Sequence, residues 1–450
     1  MKELLKKQGP FALRNVRLFA WFQMLYGARA YYPILAIFFV DLGLTLDQFV
    51  ILNVAWAISI VLLEVPSGAL ADVMGRRRLL ITASCLMAIE MAILVFAPAN
   101  GSWWLFSLCL VNRILSGASE AAASGADQAL AYDTLEKEGI EDSWDDALST
   151  SMSWQSAASV VAMTLGGLLY SPDLINRAFG WAGMEFELSR EIALRIPVSL
   201  VFLQAIACIC ITWKMKEINE STHTDTSLKG RASATFRTTI KAAKWVWQTP
   251  LALTLVTGGF LIDAVIRNFA TINSQYFRLI QIPEWSFGFI AAGTSMFGIF
   301  VPKFARKLSR QVPPVVHVIL VFLVGILSIA LLAPAWPYWG ILPAMLSMLC
   351  LGWNGFIMNR HLNELTSSDQ RATVLSVRGL ASNLSYGTYS LAFAGMLALA
   401  RKSAQSTDAD SVTNEALSSA LTWQPFYFAA TLIAFIIFAR RGKQKISQSI

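Results

Sequence analysis

The sequence predicts an all-α membrane protein: twelve transmembrane helices in two pseudo-symmetric six-helix bundles. Three observations lead there. Of 450 residues, 55% are apolar and 14% charged, against roughly 25% charged in soluble domains, so a water-soluble body would lack polar surface to cover itself. Apolar runs long enough for the roughly 20 residues of a spanning helix recur from end to end. Positive charge gathers on alternate connections between those runs.

The runs lie at about 15–40, 46–70, 78–98, 102–126, 147–170, 192–213, 250–279, 285–305, 314–333, 336–358, 372–400 and 421–440. Turn residues mark two tight joints, Pro98-Ala-Asn-Gly101 and Pro334-Ala-Trp-Pro337. The basic start followed by an apolar run has the outline of a signal peptide. It lacks a small-residue cleavage site, so it reads as a retained first helix. With the N-terminus inside, the inner segments hold Lys2, Lys6, Lys7, Arg14, Arg17, Arg76–Arg78, Lys303, Arg306, Lys307, Arg310, Arg440, Arg441, Lys443 and Lys445. Outer segments hold Arg177, Arg190, Arg278, Arg401 and Lys402. This bias places both termini in the cytoplasm of an inner (plasma) membrane protein. The net charge of +7 is thereby a topology signal, and no nucleic-acid partner is expected.

A long polar, basic connection divides the chain into residues 1–213, a cytoplasmic linker 214–248 and residues 249–450, with a possible helix near Phe236–Trp247. The halves echo each other. An offset of 238 residues sets Arg29 on Arg267, Phe39 on Phe277 and Phe49 on Phe287, and an offset of 236 sets Val65-Pro66 on Val301-Pro302. A parallel duplication leaves such traces.

Between the second and third runs stands Gly68-Ala-Leu-Ala-Asp72-Val-Met-Gly75-Arg76-Arg77-Arg78. Gly68 permits close helix packing, Gly75 a left-handed turn, and Asp72 an anion near a helix N-terminus. The segment closely resembles the GxLaDrxGrR loop of the major facilitator superfamily. The fourth run adds Arg113-Ile-Leu-Ser-Gly117-Ala-Ser-Glu-Ala121, similar to that family's RxxxGxxxA segment. Glu64-Val-Pro-Ser-Gly and the stretch Ser124–Asp133 look like a bacterial efflux-type subgroup. The antiporter motif GxxxGPxxGG is matched only at Gly166-Gly167, with Ala162-Met163 replacing its Gly-Pro. The resemblance implies a secondary transporter working by alternating access, in which the loop latches one end state. Arg113, Glu120 and Asp127 recur every seven residues and so share a face. Asp127 is thereby placed to pair with Arg76 or Arg77.

A charge near the bilayer centre costs about 2.5–3.5 kcal/mol on insertion scales, so the intramembrane charges are the candidate functional groups. They are Arg29, Glu64, Glu90, Arg113, Glu120, Asp263, Arg267 and Arg378. On a continuous helix Tyr26, Arg29 and Tyr32 share a face that suits an anionic or aromatic solute, or else Arg29 is satisfied by an acid on a neighbouring helix. Asp263 and Arg267, four apart with the acid first, form either a plain helical pair or a proton-sensitive one. Glu64 and Glu120 compete with Asp263 for the proton. Asn354 serves a solute or a helix contact. By the resemblance, the helices bearing Arg29, Arg113, Arg267 and Asn354 line a central cavity.

No nucleotide-binding motif, convergent nucleophile or zinc spacing is present, so neither an enzyme, a cofactor nor a metal is expected. The three histidines, His223, His317 and His361, are spread through the sequence. The expected activity is proton-coupled export of a small amphiphilic or anionic solute by a monomer. A proton-coupled importer of an organic or siderophore-like anion is the alternative, and a non-transporting sensor or scaffold a second.

Overall fold

The computed structural model describes residues 9–181, 183, 187–218, 228–366 and 370–448, without the side chains at 72, 228–235, 298–299, 371–372 and 442–448. Among these residues all regular structure is helical, with no strand. In chain order the α-helices are α1 (Arg14–Gly27), α2 (Leu35–Asp41), α3 (Leu46–Met74), α4 (Arg76–Phe96), α5 (Trp103–Ala123), α6 (Ala126–Glu138), α7 (Trp144–Tyr170), α8 (Pro172–Trp181) and α9 (Arg190–Lys214). Then follow α10 (Leu228–Gln248), α11 (Pro250–Leu279), α12 (Phe287–Ser295), α13 (Phe297–Ser309), α14 (Pro314–Leu332), α15 (Ile341–Leu365), α16 (Arg371–Ser403) and α17 (Ala409–Gln448). Among the described residues eight helices are long and apolar enough to cross a membrane, or nine if the pair α7–α8, bent by 83°, is one span. The runs at 102–126 and 372–400 form α5 and α16 but fall outside that set.

The first apolar run differs from the continuous helix expected at 15–40. It is broken after Gly27 and resumes as a 3-10 turn at Tyr32–Ile34 leading into α2. The cause is local. Pro33 has no N–H to give and disfavours the α conformation at Tyr32. Gly27 faces Gln155 so closely that a Cβ there would lie 2.1 Å from the amide nitrogen. Across the break the chain makes short-range bonds, Arg29 N–H to the Gly27 carbonyl and Tyr32 N–H to the Arg29 carbonyl.

The chain forms two compact units. One contains Met1–Ile34, Ser59–Phe236 and Glu284–Ala292, the other Leu35–Ile58, Arg237–Pro283 and Gly293–Ile450. In the first unit α4 packs between α5 and α9, and α1 lies on α7. Small residues make the closest approaches. A Cβ at Gly166 on α7 would meet the Ala30 carbonyl oxygen at 1.7 Å, and one at Gly167 would meet the Gly288 nitrogen at 2.6 Å. The kept glycine pair of the fifth run is thus what lets α7 lie against the unwound backbone after α1. Nearby, Arg190 pairs with Glu284 at 2.7 Å and sits over the Tyr170 ring.

In the second unit α11 is the central helix, packed on α14, α15, α16 and α17. It also receives α2. The Ser274 hydroxyl accepts the backbone N–H groups of Ala36 (3.0 Å) and Ile37 (3.3 Å). These are orphan donors that a helix start must satisfy. Arg278 grips Asp41 through two bonds of 2.8 and 2.9 Å, and Arg401 pairs with Asp47.

Candidate functional site

In the first unit the break after α1 carries Arg29 to α4. Its guanidinium pairs with Glu90 at 2.7 Å, with the two side chains 6% and 0% exposed. Arg29 Nε also donates to the Tyr26 carbonyl at 3.2 Å, and the guanidinium lies 5.1 Å from the centre of the Tyr26 ring. Tyr26 and Ser119 share a hydroxyl hydrogen bond of 2.7 Å, and Asn112 donates to the Glu90 carbonyl. Arg113, also buried, hydrogen-bonds Tyr31. The premise of one continuous face for Tyr26, Arg29 and Tyr32 fails, because the helix ends between them. Tyr26 nonetheless remains beside Arg29, and Tyr32 stands 42% exposed. Glu120 is exposed and Glu64 half-buried.

In the second unit the offset partner of Arg29 sits mid-way along the unbroken α11. Arg267 pairs with Asp263 at 2.6 Å, the side chains 29% and 11% exposed. Its other nitrogen donates to Asn383 Oδ1 at 2.8 Å, and the guanidinium lies 5.5 Å from the centre of the Tyr386 ring. Thr271 and Tyr386 share a hydroxyl hydrogen bond. Arg378, one turn and a half before Asn383, hydrogen-bonds Asn359. Asn354 is buried and donates to the Gly259 carbonyl of α11 at 2.9 Å, a contact between helices.

Several members of these clusters were not singled out from the sequence as site residues. Glu90 was visible as an intramembrane acid, but its pairing needed the fold. Asn383 and Tyr386, three apart on α16, carry no charge to signal them. Two histidines that looked scattered are in fact neighbours. The His317 and His361 rings are 6.3 Å apart, with Trp353 Nε1 donating to His317 Nε2 at 2.8 Å. His223 lies outside the described residues. No group of three metal-ligating side chains occurs among the described residues.

At the loop between α3 and α4, Gly75 has φ 89°, a left-handed value that favours glycine. A Cβ there would meet the Glu217 carboxylate at 2.5 Å, and that carboxylate accepts the Arg77 N–H. Arg76 pairs with Asp133 and donates to the Ala129 carbonyl, while Arg77 donates to the Trp213 carbonyl. The acid expected to hold these arginines, Asp127, does something else. It accepts from Gln23 Nε2 at 3.2 Å, and burial holds its carboxyl above the usual carboxylate range. The seven-residue spacing put Asp127 on the right face, but α5 ends at Ala123 and the chain re-enters a helix through the left-handed Gly125, which turns the face. Gly68 lies exposed on α3. The Asp72 side chain lies outside the described residues.

A cavity of about 740 Å³ opens among α1, α7 and α9. Ala28 and Ala30 line it together with Trp154, Val161, Leu203 and Gln204. Arg29 is not among its walls, because its side chain is committed to Glu90.

An all-helical body in which at least eight of the described helices are long and apolar enough to cross a membrane has the make-up of a multi-pass membrane protein. The chain matches the Major Facilitator Superfamily over residues 18–390 and belongs to that family. A search of curated protein sequences found no match. Solved structures share the fold at low identity. The nucleoside transporter NupG has a TM-score of 0.67 at 14% identity, over 94% of this chain and 98% of its own. A bacterial homolog to the human lysosomal transporter Spinster, inward-facing and occupied, has 0.68 at 14%, over 96% of both. A D-xylose-proton symporter has 0.64 at 10%, over 94% and 96%.

Proposed function

We propose that this chain is a proton-coupled secondary transporter that moves a small anionic or amphiphilic solute by alternating access. It does so as a monomer of twelve spans in the inner membrane, with six-helix bundles at 1–213 and 249–450 and both termini cytoplasmic. The observation that carries the reading is the Arg267–Asp263 pair. The arginine is partly open, and its other contacts, Asn383 and the Tyr386 face, suit a flat or anionic group. An anion competes with Asp263 for the same guanidinium. A proton on Asp263 removes that competitor, so proton and anion bind together. By linkage each then strengthens the other. Two ligands bound together cross together, which supports proton-driven uptake. Export, the direction expected from the sequence resemblance, needs proton and solute to exclude each other. We assign the proton to Asp263 ahead of Glu64 and Glu120, because its partner on the same helix is a partly open cation. Tyr32, with its exposed ring, is a second candidate contact for the solute. Arg29, Tyr26, Arg113 and Asn354 then act as supports that hold the helices in place. The loop residues Gly75, Arg76 and Arg77 act as a latch through Glu217 and Asp133.

A thermal-stabilisation screen of organic anions on the purified protein, at pH 5.5 and 7.5, tests this. A true ligand stabilises more at the lower pH, loses its effect in Arg267→Gln and loses its pH dependence in Asp263→Asn. A ligand untouched by Arg267→Gln overturns the assignment.

A further inference from the structure

The connection between the halves ends in α10, and its surface has three distinct faces. The sequence of α10 holds Lys229, Arg231, Arg237, Lys241 and Lys244 and no acid. One face is packed. Ala242 and Val246 are buried against Ala252, Val256, Leu362 and Val374, with Trp245 partly buried beside them. These partners are the ends of α11, α15 and α16 on the side where α10 joins α11, and α11 and α15 are long and apolar enough to cross a membrane, so α10 lies beside one end of those candidate spans.

The second face is apolar and bare. Phe236, Ile240 and Trp247 are 57%, 50% and 74% exposed. They stand at i, i+4 and i+11 with Ala243 at i+7, which brings them into one stripe on a helix of 3.6 residues per turn. The third face, next round the helix, carries Arg237, Lys241 and Lys244, all exposed. The apolar stripe thus borders the packed face on one side and the basic face on the other. A helix lying on a bilayer surface uses all three. Its protein side holds it at the right depth, the apolar stripe sinks among the acyl chains, and the lysine and arginine stems reach out to the headgroups. A basic amphipathic helix with a tryptophan at its edge is the pattern for an anionic lipid surface.

We propose that α10 is a membrane-surface element that binds anionic phospholipid headgroups on the leaflet where it emerges. Ile240 and Trp247 would seat in the acyl boundary, and Arg237, Lys241 and Lys244 would pair with headgroup phosphates. Its binding would tie the start of α11, the helix that carries Asp263 and Arg267, to the lipid composition of that leaflet. The surface itself does not depend on the transport reading.

The test uses the full chain in nanodiscs, with a nitroxide at Ile240→Cys in a Cys85→Ser, Cys210→Ser background. One set of discs is phosphatidylcholine, the other phosphatidylcholine with phosphatidylglycerol. With phosphatidylglycerol the label should collide with dissolved oxygen and be shielded from a water-soluble nickel chelate. The triple variant Arg237→Gln, Lys241→Gln, Lys244→Gln should behave in those discs as the unaltered charges do in phosphatidylcholine alone. Each lost charge should lower the ratio of seated to unseated label about fivefold. All three are exposed positions, and an unchanged thermal midpoint in detergent confirms that the variant folds. A label open to the nickel chelate in both lipids would overturn the proposal and leave the stripe to a soluble partner. Equal seating in both lipids, unmoved by the triple variant, would overturn the headgroup assignment.

Discussion

Arg29 and Arg267 stand at positions matched by the 238-residue offset, yet the chain treats them in opposite ways. Arg29 lies in a break between α1 and α2 and reaches across to Glu90, which has no exposed surface at all. Arg267 lies in an unbroken helix, takes its acid from one turn back on the same helix, and keeps its side chain 29% exposed. A fully buried pair has already given up its water, and removing either partner strands a charge. A partly open pair within one helix can trade its partner for a solute or lose it to a proton. On the proposed reading, two arginines of common sequence context divide into a structural support and a candidate binding group, and two differences separate them: Leu25 stands where α11 has Asp263, and Pro33 where α11 has Thr271.

The largest expected effect breaks the buried pair. Glu90→Leu leaves Arg29 uncompensated and should cost about 3–5 kcal/mol, seen as a sharply lowered thermal midpoint or loss of folded yield. Arg29→Met combined with Glu90→Leu should recover most of that loss. Next comes Gly166→Ala, where the added methyl would sit 1.7 Å from the Ala30 carbonyl. The backbone at the break must then shift, and a loss of about 1–3 kcal/mol is expected. Asn383→Ala removes one hydrogen bond to Arg267 and should cost about 0.5–1.5 kcal/mol. Smallest of all is Asp263→Asn: Asp263 is buried, but the amide oxygen can still accept from Arg267, whose side chain is 29% exposed, so the cost should stay at about 0–1 kcal/mol. Its effect should appear in pH response rather than in stability, the reverse of Glu90→Leu. If Asp263→Asn proved as destabilising as Glu90→Leu, the division between the two arginines would collapse.

The helical class and the left-handed turn at Gly75 could be read from residue order, because apolar length and a glycine before a run of arginines are local properties. The break in the first run was also written locally, in Gly27 and Pro33, but apolarity running through both residues masked it. Pairings were not legible. Glu90 is 61 residues from Arg29 and Asp133 is far from Arg76, and a spacing rule fails wherever a helix ends, as it did for Asp127 at Gly125. Asn383 and Tyr386 became visible only once α16 was packed on α11. The glycine pair at 166–167, noted as the remnant of a motif, has a plain steric meaning in the close approach of Ala30 and Gly288.

The central claim is that Asp263 carries a proton together with a solute held at Arg267. The most direct measurement is the proton movement that accompanies a solute identified in the stabilisation screen, as it runs down its own gradient into proteoliposomes loaded with a pH-sensitive dye. Solute moving inward should acidify the lumen, and Asp263→Asn should pass solute without that acidification. Alkalinisation of the lumen, or acidification that survives Asp263→Asn, would contradict the account.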